Sequence, residues 1–261
     1  MHKETNILIL NDVHVGEKVE KGDGVKMGPY HKSISKLKTV LKDVTTKHKI
    51  NKIVFLGDAI RADNKEIDIK SLKKFVSTFD SYKDIEKYFT IGNHDLLHLT
   101  KDDIAPYVQQ NFKVNVNNNY SFNFNTKNHN HVILDFNLNF IEEDGRRFGQ
   151  AIMPKEILEF LKSNLSTTKH NIVYTHFSVL IKNLTDHRLH YGDWRRFAYS
   201  NHEEIFKILN RKNVTHIYGH NHTVGLTKKE NLISVGLPAF IDNPIREREE
   251  DNKNHPAIYT I

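Results

Sequence analysis

Ile7-Leu8-Ile9-Leu10-Asn11-Asp12-Val13-His14 sets four consecutive apolar residues directly before an Asp-x-His triplet. Four apolar residues in a row read as a short buried strand. The same arrangement returns along the chain. Ile53-Val54-Phe55-Leu56 runs into Gly57-Asp58, and Tyr88-Phe89-Thr90-Ile91 into Gly92-Asn93-His94-Asp95. Ile172-Val173-Tyr174 runs into Thr175-His176, and Val214-Thr215-His216-Ile217-Tyr218 into Gly219-His220-Asn221-His222. Side chains able to bind a metal therefore recur just past the ends of apolar strands. In open α/β sheets, ligands gather beyond the carboxyl ends of strands, so segments distant in sequence can converge there. Gly57, Gly92 and Gly219 suit sharp turns that bring the backbone close to a ligand. Any one segment says little, because Asp-x-His arises by chance and a lone histidine after a strand is usually structural. The ordered set is what points to a site.

Helices fill the intervals. Ser33 is expected to cap a helix carrying Ile34, Leu37, Val40, Leu41 and Val44 at helical spacing. Leu72, Phe75, Val76 and Phe79 mark a second helix. Pro154 opens a third through Ile157, Leu158 and Leu161, proline being suited to a first turn. Asn201 is expected to cap a fourth, with Glu203 and Glu204 at its positive end. The Asn-dense stretch from Asn111 to Asn139 alternates with Phe, Val and Ile and reads as short strands and turns, and hairpin-like strands run from Thr223 to Phe240. Strand–helix alternation predicts an α/β protein, and the later strands without helices predict mixed sheets.

Composition narrows the chemistry. None of the 261 residues is cysteine, which excludes disulfides and thiolate metal sites, so a metal would sit on His, Asp, Glu or Asn. No apolar run reaches the roughly 20 residues of a membrane span. The four apolar residues Ile7 to Leu10 are too few for a signal peptide, so a cytoplasmic protein is expected. The net charge of +6 favours anionic partners, with solvated lysines as the plainer reading. Of the 17 histidines, His2, His48, His129, His131, His170 and His255 have no partner spacing and are expected at the surface, whereas His216 alternates with apolar positions and is expected to be structural.

Asp12-x-His14, Gly57-Asp58, Gly92-Asn93-His94-Asp95, His176 and Gly219-His220-x-His222 resemble, in order, the signature of the calcineurin-like metallophosphoesterases. The resemblance runs from Asp12 to His222. It implies a single domain over residues 1–261 with a four-layer α/β/β/α sandwich of two mixed β-sheets. It also implies two divalent metal ions, Mn²⁺ first and Fe, Zn, Co or Ni as alternatives. By the same resemblance Asp12, His14 and His222 hold one ion, Asn93, His176 and His220 hold the other, and Asp58 bridges them. A metal-bridging hydroxide would attack phosphorus, and His94, oriented by Asp95, would face the substrate and protonate the leaving alkoxide.

The chain departs from the family pattern at Arg61, where members often carry an acid or Asn; this arginine either contacts substrate phosphate or is solvated. The Gly-Asp-x-x-Asp-Arg-Gly pattern of Ser/Thr protein phosphatases is absent, and Phe177 stands where a proline often follows the histidine. The stretch from Asp186 to Arg196 holds Tyr191, Trp194 and Arg195, groups that can stack on a base or pair with phosphate. It reads either as a lid, around residues 182–200, or as an exposed loop anchored by Trp194. Tyr30-His31 and Gly149-Gln150 also resemble segments of members that cleave small nucleotide diphosphates. A phosphodiester or diphosphate of a nucleotide-like small molecule is therefore the expected substrate. The alternatives are a DNA nuclease of the repair type, without the long DNA-capping extension those enzymes carry, and a non-catalytic scaffold of the same fold. The oligomeric state is left open.

Overall fold

The structure, a computed structural model, describes residues 5–17, 30–115, 117, 119–143, 146–180, 194–222, 224–240 and 258–260. The first sheet is built from β1 (Asn6–Leu10), β2 (Ile50–Leu56), β3 (Glu86–Thr90) and β12 (Ile258–Thr260). Its order is β12-β1-β2-β3, with β1, β2 and β3 parallel and β12 antiparallel at the edge. The parallel strands need helical crossovers, which α1 (Ser33–Lys47) and α2 (Lys65–Ser77) supply. Leu37, Leu41 and Val44 of α1, and Leu72, Phe75 and Val76 of α2, are the buried apolar positions that face this core.

The second sheet takes β4 (Phe122–Asn125), β5 (His129–Ile133), β8 (His170–Thr175), β9 (Val214–Tyr218), β10 (Gly225–Lys229) and β11 (Leu232–Gly236), in the order β10-β11-β9-β8-β5-β4. Antiparallel β10 and β4 flank a parallel centre, so both large sheets are mixed, as expected. A separate ribbon pairs β6 (Asn137–Glu143) with β7 (Arg146–Ile152). The remaining described helices are α3 (Lys101–Val108), α4 (Lys155–Asn164) and α5 (His202–Leu209). None is long and apolar enough to cross a membrane.

Strand alternation divides the second sheet between two cores. Ile133, Ile172, Tyr174 and Ile217 join the core that also contains Ile7, Ile9, Val54 and Phe89 of the first sheet. Val132, Val173 and Val214 point the other way, into a core closed by Ile157, Leu158 and Leu161 of α4 and Ile205, Ile208 and Leu209 of α5. At the centre of the first core, Phe75 lies 4.7 Å from Phe55 and 5.2 Å from Phe79 between ring centroids. Burying each such ring contributes roughly 1.5–3 kcal/mol.

Several local expectations need correcting. Ser33 is the first residue of α1, not its cap, and its hydroxyl donates to the carbonyls of Tyr30 (2.7 Å) and His14 (3.4 Å). Asn201 precedes α5, but its amide clasps Met153 instead of capping, accepting from its N–H at 3.1 Å and donating to its carbonyl at 2.8 Å. Phe79 lies just beyond α2 and is still buried. His131 is fully buried, stacked on Phe124 at 4.5 Å with Nδ1 3.0 Å from the Tyr174 hydroxyl. It lies on the inward face of β5, where its flat ring packs like an aromatic residue. His2 and His255 lie outside the described residues.

His216 is structural, as expected, held between Thr175 Oγ1 (2.7 Å) and Ser234 Oγ (2.8 Å). Burial pushes its imidazole down to about 3, and His131 is likewise lowered to about 3 by burial and by the charges of His129, Lys52 and Lys169. The unfolded chain titrates these groups near 6.5 and takes up protons that the folded chain refuses. Stability is therefore fully present above pH 6.5 and is lost as pH falls toward 3, by up to roughly 1.4 kcal/mol per pH unit for each histidine. Denaturant titrations between pH 7.5 and 5 should show this decline, and His216→Gln should reduce its slope by about one proton. An unchanged slope would assign the proton uptake to other groups.

Candidate metal centre

Every residue expected to hold a metal lies past the carboxyl end of a strand: Asp12 and His14 after β1, Asp58 after β2, Asn93 after β3, His176 after β8, and His220 and His222 after β9. The loops after β1 and β2 stay paired beyond the strands, with N–H to carbonyl bonds from Asp12 to Gly57 (3.0 Å), His14 to Asp58 (3.0 Å) and Val15 to Ala59 (2.8 Å). Asp12, His14, Asp58, His220 and His222 all adopt left-handed backbone, with φ between 46° and 63°. Such conformations cost on the order of 1 kcal/mol or more each for residues other than glycine. All five positions lie in one pocket, and Gly57, at φ 91°, takes the turn before Asp58 where a side chain would be strained.

The side chains converge. His14 Nε2 lies 3.2 Å from His222 Nε2, and Asp12 Oδ1 lies 3.3 Å from His222 Nε2 and 3.7 Å from His14 Nε2. His176 Nε2 lies 3.1 Å from Asn93 Oδ1 and 3.5 Å from Asp58 Oδ1, and its ring is 5.0 Å from that of His220. Two triads, Asp12–His14–His222 and Asp58–His176–His220, each bring their ligand atoms within 4.8 Å of one another, as does the overlapping group His14–Asp58–His94. Asp58 stands between them, with Oδ1 toward His176 and Oδ2 3.6 Å from His14 Nε2.

The donor set fits divalent cations. Asp12 Oδ1, Asp58 Oδ2 and His220 Nδ1 are buried and lack a well-formed hydrogen bond among the described residues. Three such orphans in one place are costly unless an ion satisfies them. Their companion atoms are committed. Asp12 Oδ2 accepts from the Asn11 amide and from His220 N–H (3.0 Å), and Asp58 Oδ1 accepts from His94 N–H (2.9 Å). His220 Nε2 donates to the Arg196 carbonyl at 2.8 Å and His176 Nδ1 to the Leu56 carbonyl at 2.6 Å, leaving each ring's other nitrogen toward the pocket.

Charge states agree with this reading. Burial raises the Asp12 carboxyl, but the imidazoles of His222 and His176 outweigh it and bring it down to about 2. Asp58 is likewise held well below the usual carboxylate range, its burial offset by His176 and His94. Burial keeps His14 and His220 near 3, hence neutral with a lone pair to give. His176 differs: burial lowers it, but Asp58 prevails and lifts it to about 9, so the negative charge that retains a proton there would equally attract a cation.

His94 is half-buried beside the cluster, 4.7 Å from the His14 ring, with Nδ1 donating to the Arg61 carbonyl at 2.7 Å. The expectation that Asp95 orients His94 is overturned. In the 3-10 turn His94–Leu96 the Asp95 side chain points away, and its carboxylate accepts the backbone N–H groups of Asp58 (3.0 Å), Ala59 (2.9 Å), Ile60 (3.2 Å) and Gly92 (2.9 Å). Asp95 ties down the loop that carries Asp58. Arg61 is not simply solvated: its guanidinium lies 5.0 Å over the Tyr30 ring and 3.3 Å from Asp63 Oδ1. Tyr30 in turn stands 6.0 Å from the His14 ring, which brings this pair to the rim of the cluster.

Residues 182–193 of the expected lid, Tyr191 included, lie outside the described residues, as does the side chain of Trp194. Arg195 is half-buried in the 3-10 turn Trp194–Arg196, whose last carbonyl fixes His220, and the Phe197 ring packs 5.6 Å from that histidine. The carbonyls of Leu56, Arg61 and Arg196, which hold the rings of His176, His94 and His220, have no side-chain signature in the sequence.

Residues 5–224 match the family profile of the calcineurin-like phosphoesterases, a span that includes every residue of the cluster. No curated protein sequence matches the chain. Among solved structures, the phosphopantetheinyl hydrolase of Mycobacterium tuberculosis aligns with a TM-score of 0.52 at 10% identity, over 90% of this chain and 90% of that one. GAP50 of Plasmodium, the anchor in the inner membrane complex, aligns with a TM-score of 0.53 at 12% identity, over 92% of this chain and 76% of that one. At these identities the structural likeness is one of fold. The profile match, spanning most of the sequence and the whole cluster, places the chain in the calcineurin-like phosphoesterase family, metal-dependent hydrolases of phosphoester bonds.

Proposed function

We propose that the protein hydrolyses a phosphodiester or diphosphate bond of a nucleotide-like small molecule. In this reading Asp12, His14 and His222 would hold one divalent cation, Asn93, His176 and His220 would hold the second, and Asp58 would be shared between them. The observation that carries it is the set of buried orphan atoms on Asp12, Asp58 and His220, with the two oxygens of Asp58 turned to opposite halves of the cluster. Mixed oxygen and imidazole donors without thiolate suit divalent first-row cations, and Mn²⁺ is the first to test. Bound there, two cations supply Lewis-acid charge for the phosphoryl oxygens and activation of the attacking water.

The remaining chemistry belongs to the chain. Water oxygen forms the new bond to phosphorus and releases a proton, and the ester P–O bond breaks. His94, carrying a proton on each ring nitrogen, passes the Nε2 proton to the departing oxygen, which leaves as an alcohol, and the proton released by the water restores it, while Nδ1 stays bonded to the Arg61 carbonyl. Arg61 and Tyr30, stacked on one another at the rim, put a cationic and an aromatic group beside the cluster, which suits an anionic organic ester.

The test is turnover by the Mn²⁺-loaded protein on p-nitrophenyl phosphate mono- and diesters, nucleotide diphosphates and a phosphopantetheinyl ester. His94→Gln should lower kcat on the best substrate by roughly 10²–10⁴-fold with two cations per chain retained. A protein that binds two cations yet turns over no panel member would sink the substrate reading. Substoichiometric metal with no turnover would favour a scaffold instead. The net charge of +6 keeps DNA in the panel: affinity falling steeply with salt, together with cleavage, would move the reading to a nuclease.

A further inference from the structure

The aim of the His94 ring depends on two backbone segments that do not touch in sequence. One carries the histidine itself and runs on through the 3-10 turn to His98; the other, residues 61–63, provides the carbonyl that takes the Nδ1 proton at 2.7 Å. The second segment is strained, because Ala62 adopts φ 69° without being glycine. Its near end is tied by Arg61 N–H to the Val15 carbonyl at 3.1 Å. Its far end, and the far end of the His94 segment, both finish on one carboxylate. Asp68 Oδ1 accepts the Asp63 N–H at 2.8 Å, and Asp68 Oδ2 accepts from His98 Nδ1 at 2.8 Å.

Asp68 is 1% exposed and sits in the first turn of α2. The start of that helix is fixed in turn by Asn64, whose side chain accepts the Ile67 N–H at 3.0 Å. A buried acid spending both oxygens on the two sides of another residue's hydrogen bond does more than close a helix. We infer that Asp68 is a positioning residue for His94: it holds donor segment and acceptor segment in register, so that the opposite ring nitrogen faces the leaving-group oxygen. The inference rests on the proposed role of His94 as proton donor.

Leaving-group dependence tests it. An alkoxide needs the proton of His94 to depart, whereas p-nitrophenolate leaves almost without it, so mispositioning penalises the alkyl ester selectively. The Mn²⁺-loaded protein is assayed on a p-nitrophenyl ester and an alkyl ester of the same phosphoryl group. Asp68→Ala should lower kcat on the alkyl ester by about 10- to 100-fold and on the p-nitrophenyl ester by less than about threefold, with KM and metal stoichiometry little changed. Asp68→Asn, which keeps an acceptor for Asp63, should recover most of the loss. His98→Ala, at a residue 39% exposed, should show the same selectivity in weaker form and serves if Asp68→Ala does not fold.

An equal loss on both esters, or none, overturns the assignment if His94→Gln is itself selective for the alkyl ester. If His94→Gln shows no selectivity, the proton-donor reading falls and the positioning role falls with it.

Discussion

Asp58→Asn should abolish hydrolysis, by on the order of 10³-fold or more, while leaving the fold intact. Asparagine has the same shape, and its remaining oxygen can still accept the His94 N–H that Asp58 Oδ1 takes at 2.9 Å. What changes is the other end of the side chain. Asp58 Oδ2, orphaned and 3.6 Å from His14 Nε2, becomes an amide that presents hydrogens where a cation needs a lone pair, and one negative charge leaves a fully buried site. On the proposed reading, the two halves of the cluster then lose the ligand they share. Metal should fall below two per chain by elemental analysis.

The thermal response gives a second readout. A cation at one hundred times its dissociation constant stabilises the folded state by about 2.7 kcal/mol, so the wild-type melting temperature should climb with added Mn²⁺ and that of the variant much less. A variant with full metal content and more than a tenth of wild-type kcat would remove Asp58 from the bridging position.

Gly92→Ala should be strongly damaging although it adds a single methyl. A Cβ at this position would lie 2.1 Å from Asp58 Oδ1 and 2.2 Å from the Asp58 backbone nitrogen. Neither neighbour has room to give way, because the Asp58 loop is pinned by the Asp95 carboxylate and by bonds from the loop after β1. The expected cost is about 3 kcal/mol or more in chemical denaturation, together with loss of metal binding. A variant within about 1 kcal/mol of wild type that still binds two cations would show that this loop is far softer than its bonding implies. Activity and stability fall together here, whereas Asp58→Asn separates them.

Much of this was legible in residue types. The five apolar runs became β1, β2, β3, β8 and β9, because continuous hydrophobic stretches belong to strands covered on both faces, and the polar residues after them had nowhere to go but the common strand-end pocket. The helices with clear periodicity were found for the same reason. α3 was missed because it is only eight residues long and contains Pro106; its Thr100–Asp103 capping box was the available signal. The long ribbon of β6 and β7 was only half visible, in the alternation up to Asn139.

The orienting role that the resemblance implies for Asp95 is not met, because a tight turn sends the neighbouring side chains of His94 and Asp95 in different directions. His131 has no partner spacing in the sequence, and its burial is visible only in the structure, where its ring packs like that of a phenylalanine.

The ligand cluster draws Asp12, His14, Asp58 and Asn93 from the first sheet and His176, His220 and His222 from the second. It therefore sits astride a seam, and the spacing between its halves is set by the apolar side chains wedged between the sheets, far from any chemistry. A slip of one sheet past the other by about 1 Å is enough to cost a catalyst 10²-fold. Substitutions at Ile133 or Tyr174, deep in that filling, should thus behave as enzymatic lesions even where the fold survives them.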